Sequence, residues 1–385
     1  MYLAFITGKI LQGNCGAVTY MGDGHYLCGP IPDQPGVDPR ASDPINFYAR
    51  ITGKPGETVH LDIQWPEFDE VLAGWQKYKQ ETFFNVAHDC VYISNDQLEW
   101  SRVEDVRPEA ETKTLHLTLT LEDTETYVSV NYFYTCRMYQ TLRRDLAGNP
   151  AVEERIIGRA RDGQDMLLYR VTDPAVPVEE KKLVYLQAGQ HCCEFGGMHL
   201  MDAVLRYLTS GNAADLLKKY EFHILPVFSL ADWASGYKDE LGADPNTVWD
   251  TLCRPENRAV DAYLRSLPQK PVVLLDAHNA RKNNFLIISD YVEPERVAAQ
   301  LRFVELLEEK CDFTKPGTVS RAKEEIYANF KQYGLLNFGY GFTMEISRFH
   351  LYERETRRMI PLSKAVFTRF GSQLPRAIDA FISEL

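Results

Sequence analysis

The chain has 385 residues, 45% hydrophobic and 25% charged, which excludes a disordered protein and allows two ordinary domains, each with its own core. Lys and Arg number 42 against 54 Asp and Glu, a net charge of −12 with no dense basic run, and this argues against a nucleic-acid surface. No stretch is apolar for long enough to span a bilayer, and the first residues show neither a basic leader nor a small-residue cleavage site, so no membrane is expected as a partner.

Eight cysteines at irregular spacings (15, 28, 90, 136, 192, 193, 253 and 311) read as reduced thiols of a cytoplasmic protein. Up to residue 135 the periodicity is that of strands, at 45–51, 58–65, 90–93, 115–121 and 127–133. Turn signals at Gly22-Asp23-Gly24, Lys54-Pro55-Gly56 and Asn95-Asp96 separate them. Residues 1–135 are therefore expected to form an antiparallel β-sandwich.

Residues 136–385 read as an α/β domain. Met138 to Ala147 suggests a helix, and Arg155 to Val171 a hairpin around Arg161-Asp162-Gly163-Gln164. Apolar strands follow at 183–187, 222–227, 272–276, 285–289 and 340–346, with a last amphipathic helix near 362–383. That alternation predicts a mixed sheet with helices on both faces.

Ligands gather at the carboxyl ends of strands in such sheets. His191 and Glu194 follow the 183–187 strand and open a helix whose apolar face runs through Met198, Met201, Leu205 and Leu208. His278 follows Val272–Leu275, and Glu345 sits inside a late apolar strand, where an unpartnered carboxylate costs several kcal/mol. Two imidazoles and two carboxylates so placed can converge on one metal ion. Singly, His278 reads equally as a hydrogen-bonding core residue, and Glu345 as the partner of Arg348. Neighbouring Cys192 and Cys193 point apart, so they read as core filling rather than as a zinc-thiolate pair.

The order of these motifs resembles the zinc carboxypeptidase superfamily, most closely its cytosolic branch with an N-terminal β-sandwich. The likeness covers nearly the whole chain: Tyr134 to Tyr139, the Ile157–Gly163 hairpin, His191-x-x-Glu194, Gly242-Ala243-Asp244-Pro245-Asn246, Asp276-Ala277-His278 with Arg281 to Phe285, and Phe342-Thr343-Met344-Glu345. It implies a zinc-dependent hydrolase of amide bonds, with His191, Glu194 and His278 as zinc ligands and Glu345 as general base to the zinc-bound water. Such a ligand set leaves one position open for that water, whose pKa zinc lowers to roughly 7. Asp276 is expected either to orient His278 or to cap nearby backbone amides.

The chain also departs from the pattern. Thr247 stands where the family carries an Arg that clamps a substrate carboxylate, and Thr cannot replace a bidentate guanidinium. Asn246 keeps its place as a substrate-binding candidate. Lys238 falls near the position of an oxyanion-steadying Arg, and Tyr327 in the region of a mobile tyrosine. Arg281 and Arg321 are candidate replacement clamps. A peptide is the expected substrate. A small N-acyl amino acid, cleaved by a deacylase of the aspartoacylase or succinylglutamate desuccinylase type, is the alternative. A metal-retaining binding protein without turnover is a third reading, against which Glu345 argues.

Overall fold

The structure, a computed structural model, describes residues 4–31, 46–65, 88–191, 193–235, 244–280, 285–323 and 329–385. It divides into two compact units, one of Met1–Tyr139 with Asp232–Gly242 and the other of Gln140–Ala231 with Ala243–Leu385. The sequence placed the division after residue 135. The chain's return at Asp232 carries no periodic signal, because it depends on long-range contacts. In the first unit Trp233 donates its indole N–H to the Tyr134 carbonyl at 3.2 Å and packs edge-on against Tyr139.

The first unit contains two five-stranded sheets. One is ordered β1 (Phe5–Thr7), β4 (Phe47–Thr52), β10 (Glu125–Val130), β6 (Val91–Ser94) and β7 (Ser101–Arg102). The other is ordered β2 (Thr19–Gly22), β3 (His25–Cys28), β5 (Thr58–Gln64), β9 (Thr114–Thr120) and β8 (Val106–Glu109). Alternation decides which side chains go inside: Val59, Leu61 and Ile63 of β5 are fully buried, while Thr58, His60 and Gln64 at the alternate positions face outward. Among the described residues the pairings are antiparallel except β3 with β5, which run parallel. Local alternation sets which face a residue takes but not the direction of the neighbouring strand.

The second unit is built on an eight-stranded sheet ordered β11 (Val152–Arg159), β12 (Asp165–Val171), β14 (Tyr220–Leu225), β13 (Lys182–Ala188), β15 (Val273–Ala280), β18 (Tyr340–Ser347), β16 (Phe285–Ser289) and β17 (Val319–Ala322). The central strands β14, β13, β15 and β18 are parallel, and antiparallel pairings join β11 to β12, β12 to β14 and β18 to β16, so the sheet is mixed. Strand β15 runs five residues beyond Leu275. His278 therefore lies within the strand, in register with Glu345 of β18, rather than past its end.

Parity along β15 assigns its two faces. Leu274, Asp276 and His278 share one side, and Val273, Leu275 and Ala277 the other. Helix α1 (Phe195–Thr209) lies on the Ala277 side, and helix α2 (Phe330–Asn337) packs on Leu274. A last helix, α3 (Lys364–Glu384), is capped by the Ser363 hydroxyl and covers α1.

The start of α1 approaches the sheet unusually closely. A Cβ on Gly197 would stand 2.5 Å from the Ala277 carbonyl oxygen and 3.2 Å from the Ala188 Cβ. Both obstacles are in the sheet, so the helix would have to move, and with it the Glu194 that immediately precedes it. Gly197→Ala is expected to cost about 1–3 kcal/mol, read from the shift in urea midpoint; an unchanged midpoint would show that α1 can withdraw freely.

Candidate active site

The turn that follows β13 is made by Gly189, whose φ of +76° suits glycine and few other residues. Ser229 and Phe228 donate their backbone N–H groups to the carbonyls of Gly189 and Ala188, fixing the turn. Gln190 and His191 then emerge at the carboxyl end of the parallel strands. Glu194, closed by a hydrogen bond from its N–H to the His191 carbonyl, is the residue from which α1 starts.

His191, Glu194 and His278 meet, and their candidate donor atoms all lie within 4.8 Å of one another. His191 Nδ1 is 3.0 Å from Glu194 Oε1, and His278 Nδ1 is 2.8 Å from Glu194 Oε2 and 3.3 Å from His191 Nδ1. The opposite nitrogens are held by carboxylates. His278 Nε2 lies 2.7 Å from Asp276 Oδ2, and His191 Nε2 lies 3.0 Å from Asp244 Oδ1. A proton shared with a carboxylate at Nε2 leaves the Nδ1 lone pairs converging. Zinc bonds of about 2.0–2.1 Å in a tetrahedron give donor–donor edges of about 3.3 Å, so this set fits zinc.

Beneath the imidazoles is a buried polar lattice. Gln187 donates to Asp276 Oδ1 at 3.2 Å, and Gln190 Nε2 donates to Asp276 Oδ2. Trp249 donates its indole N–H to Gln190 Oε1 at 3.1 Å. Asp276 is fully buried and orients His278, which decides between its two expected roles. The Asn279 backbone N–H donates to Glu194 Oε2 at 3.1 Å, so Glu194 is fixed by the chain as well as by the imidazoles.

Burial alone would raise the pKa of Glu194, but the imidazoles of His191 and His278 outweigh it and hold the carboxyl well below its usual range. Burial alone would lower that of His278, yet Asp276 and Glu194 prevail and hold it well above the imidazole range. Burial pushes Glu345 up to about 7, with Glu194 adding to the rise and His278, His191 and Arg348 opposing it. Among the described residues nothing forms an ion pair or hydrogen bond with the Glu345 carboxylate. Arg348, expected beside Glu345, instead places Nη2 3.3 Å from Glu194 Oε1.

Of the substrate-side candidates, Asn246 is at the rim. Its Oδ1 accepts from Gln190 Nε2 and from the Phe330 backbone N–H, both at 3.3 Å, which leaves its Nδ2 as the donor. Thr247 Oγ1 donates to the Asp244 carbonyl at 3.1 Å. Arg321 is exposed and lies 3.5 Å from Asp290. Lys238, Tyr327, Arg281 and Cys192 lie outside the described residues; Cys193 is buried and is not part of the metal-binding cluster. Sequence reasoning missed Gln190 and the role of Asp244. A signal existed for Asp244, in the Gly-x-Asp-x-Asn segment; nothing in the sequence marked Gln190.

Residues 138–230 match the zinc carboxypeptidase family. No curated protein sequence matches the chain. A metallo-carboxypeptidase from Burkholderia cenocepacia has the same fold at a TM-score of 0.80, with 18% identity over 100% of both chains. One from Pseudomonas aeruginosa, solved in complex with (2-guanidinoethylmercapto)succinic acid, gives 0.79 with 18% identity over 99% of each. The chain is a metallo-carboxypeptidase-like hydrolase. Zinc is the metal of the matched family, and the His-Glu-His donor set suits it. Among the described residues no helix is long and apolar enough to cross a membrane.

Two outcomes follow for this hydrolase. Asp276→Asn is expected to weaken zinc binding about 10–100-fold in chelator competition, with the fold retained; unaltered affinity would contradict the orienting role. The second concerns the metal-free protein. His278, with its pKa raised, contributes stability that is full below its ordinary 6.5 and fades as pH rises through the raised value. Glu194, with its pKa lowered, contributes stability that is full above 4.5 and fades as pH falls through the lowered value. Chelator-treated protein should therefore melt at the highest temperature near pH 4.5–6.5 as far as these two groups decide it, and His278→Ala should remove the alkaline decline. Identical alkaline profiles for the two proteins would contradict this.

Proposed function

We propose that the protein is a zinc-dependent peptidase of carboxypeptidase type, with His191, Glu194 and His278 holding the metal and Glu345 acting as general base. The observation that carries this reading is the position of Glu345. It sits in register with His278, partly exposed beside the cluster, and among the described residues nothing forms an ion pair or hydrogen bond with its carboxylate. A structural carboxylate would have a partner; a base needs to be free to take one.

Zinc, when bound, supplies Lewis acidity to the scissile carbonyl and to a water molecule. The remaining work belongs to the chain's own side chains. Asp244 and Asp276 keep the imidazole Nε2 protons in place, so both rings present Nδ1. Glu345 takes the proton of the attacking water on a carboxylate oxygen and returns it to the nitrogen of the leaving amine. Asn246 Nδ2 offers the substrate a neutral hydrogen bond. The Pseudomonas relative binds a succinic acid derivative, and a peptide with a free terminal carboxylate is the analogous substrate here. The seven cysteines among the described residues are free thiols, which suits a reducing cytoplasm.

One observation favours a second reading, deacylation of a small N-acyl amino acid. Thr247 supplies no cation where a carboxylate clamp is expected, and its hydroxyl is already engaged by Asp244. Parallel assays on C-terminally free peptides, C-terminally blocked peptides and N-acyl amino acids separate the two.

Glu345→Gln is expected to keep zinc and the native melt while losing about 10²–10⁴ in kcat, with activity of the parent enzyme declining as pH falls through the Glu345 pKa. Full turnover in a zinc-loaded Glu345→Gln variant would overturn the assignment.

A further inference from the structure

We propose that Gln190 is a positioning residue that serves both halves of the site with one carboxamide, holding Asp276 for the metal and turning Asn246 toward the substrate. The substrate half of this inference rests on the peptidase reading above. Gln190 is buried, at 1% exposure. Its Oε1 accepts from the Trp249 indole N–H at 3.1 Å, and an indole nitrogen can only donate. Trp249 is itself packed against Phe228, Phe330 and Tyr333, with ring centroids 5.8, 4.8 and 4.9 Å away. The amide end of Gln190 is thereby turned to acceptors. Its Nε2 donates to Asp276 Oδ2 and, at 3.3 Å, to Asn246 Oδ1, so both protons of one NH2 group are committed. His278 Nε2 lies 3.4 Å from the same nitrogen, but its own proton goes to Asp276.

The same polarity passes on to Asn246. Its Oδ1 takes the Phe330 backbone N–H as well as the Gln190 proton, and both of these groups only donate. Asn246 Nδ2 is therefore the end left for a substrate, which must bring an acceptor oxygen to it. The Asn246 backbone N–H donates to Asp244 Oδ1 at 2.8 Å, the same oxygen that lies 3.0 Å from His191 Nε2. Asn246 is thus tied through Gln190 to the carboxylate behind His278, and through its own backbone to the one behind His191. Without the Gln190 carboxamide, Asp276 keeps only Gln187 and His278, and the Asn246 side-chain oxygen keeps only the Phe330 N–H. The Asn246 carboxamide is then free to turn and present its oxygen instead of its nitrogen.

The test compares full-length Gln190→Met, Asn246→Ala and the double variant with the parent protein. Zinc affinity is read by chelator competition, and kinetics on a C-terminally free peptide at saturating zinc. Gln190→Met, similar in length but without a donor, is expected to bind zinc about 10-fold more weakly. Its KM should rise about 10-fold, as for a lost hydrogen bond, with a much smaller change in kcat. Asn246→Ala should raise KM and leave zinc affinity at the parent value. In the double variant KM should be no higher than in Asn246→Ala alone, because Gln190 reaches the substrate through Asn246. A general loosening of the fold would not produce that pattern. Should Gln190→Met fail to fold, the isosteric Gln190→Glu carries the same KM prediction, since a carboxyl has at most one donor for two acceptors. Parent-like zinc affinity in Gln190→Met, or KM effects that multiply in the double variant, would overturn the proposal. Absence of peptide turnover in the parent protein would fault the peptidase reading, while the zinc measurement would still decide the role of Gln190.

Discussion

Two carboxylate–imidazole hydrogen bonds set what the second unit can do. Asp276 holds Nε2 of His278 and Asp244 holds Nε2 of His191, so both rings turn Nδ1 toward Glu194. Reversing either ring would replace a lone pair by an N–H at the meeting point, and the site would offer a proton where it must offer a ligand. The buried amides of Gln187 and Gln190, with Trp249 behind them, give Asp276 hydrogen-bond partners and orient it in a place where a lone carboxylate would be costly.

The sheet supplies the convergence. Parallel pairing of β13 with β15 and of β15 with β18 brings their carboxyl ends to one edge, and the register sets Gln187 beside Asp276 and His278 beside Glu345. Helix α1 must then begin hard against β15, which is why glycine stands at 197. The same closeness lets the Asn279 N–H fix Glu194. Fold and site thus share their constraints, and a displacement of α1 is felt as a displacement of Glu194.

Much of this was legible in the sequence wherever the information is local. Apolar runs marked β13, β14, β15, β16 and β18, and helical spacing marked α1 and α3, because each buries a face whose period shows in the residues themselves. The meeting of His191, Glu194 and His278 was legible through motif order and resemblance. What was hidden depends on partners distant in sequence: the outer hydrogen bond from Asp244, the Gln190 contact to Asp276, the parallel run of β3 with β5, and the return of Trp233 to the first unit. Arg348 shows the limit plainly. Three residues from Glu345, it suggested a local pair, yet its guanidinium reaches Glu194 across the sheet. Strands β1, β2, β3, β7, β8 and β17, of two to four residues, were not predicted; among strands this short only β6, with its apolar Val91-Tyr92-Ile93, showed in the sequence.

The central claim is that one divalent ion is gripped between the Nδ1 atoms of His191 and His278 and the carboxylate of Glu194. Anomalous diffraction collected on either side of the zinc absorption edge, from crystals of zinc-loaded protein, tests it directly. The expected result is a single strong peak within bonding distance, about 2.0–2.2 Å, of those three groups. A peak elsewhere, or one bonded through the Nε2 atoms that face Asp244 and Asp276, would contradict it.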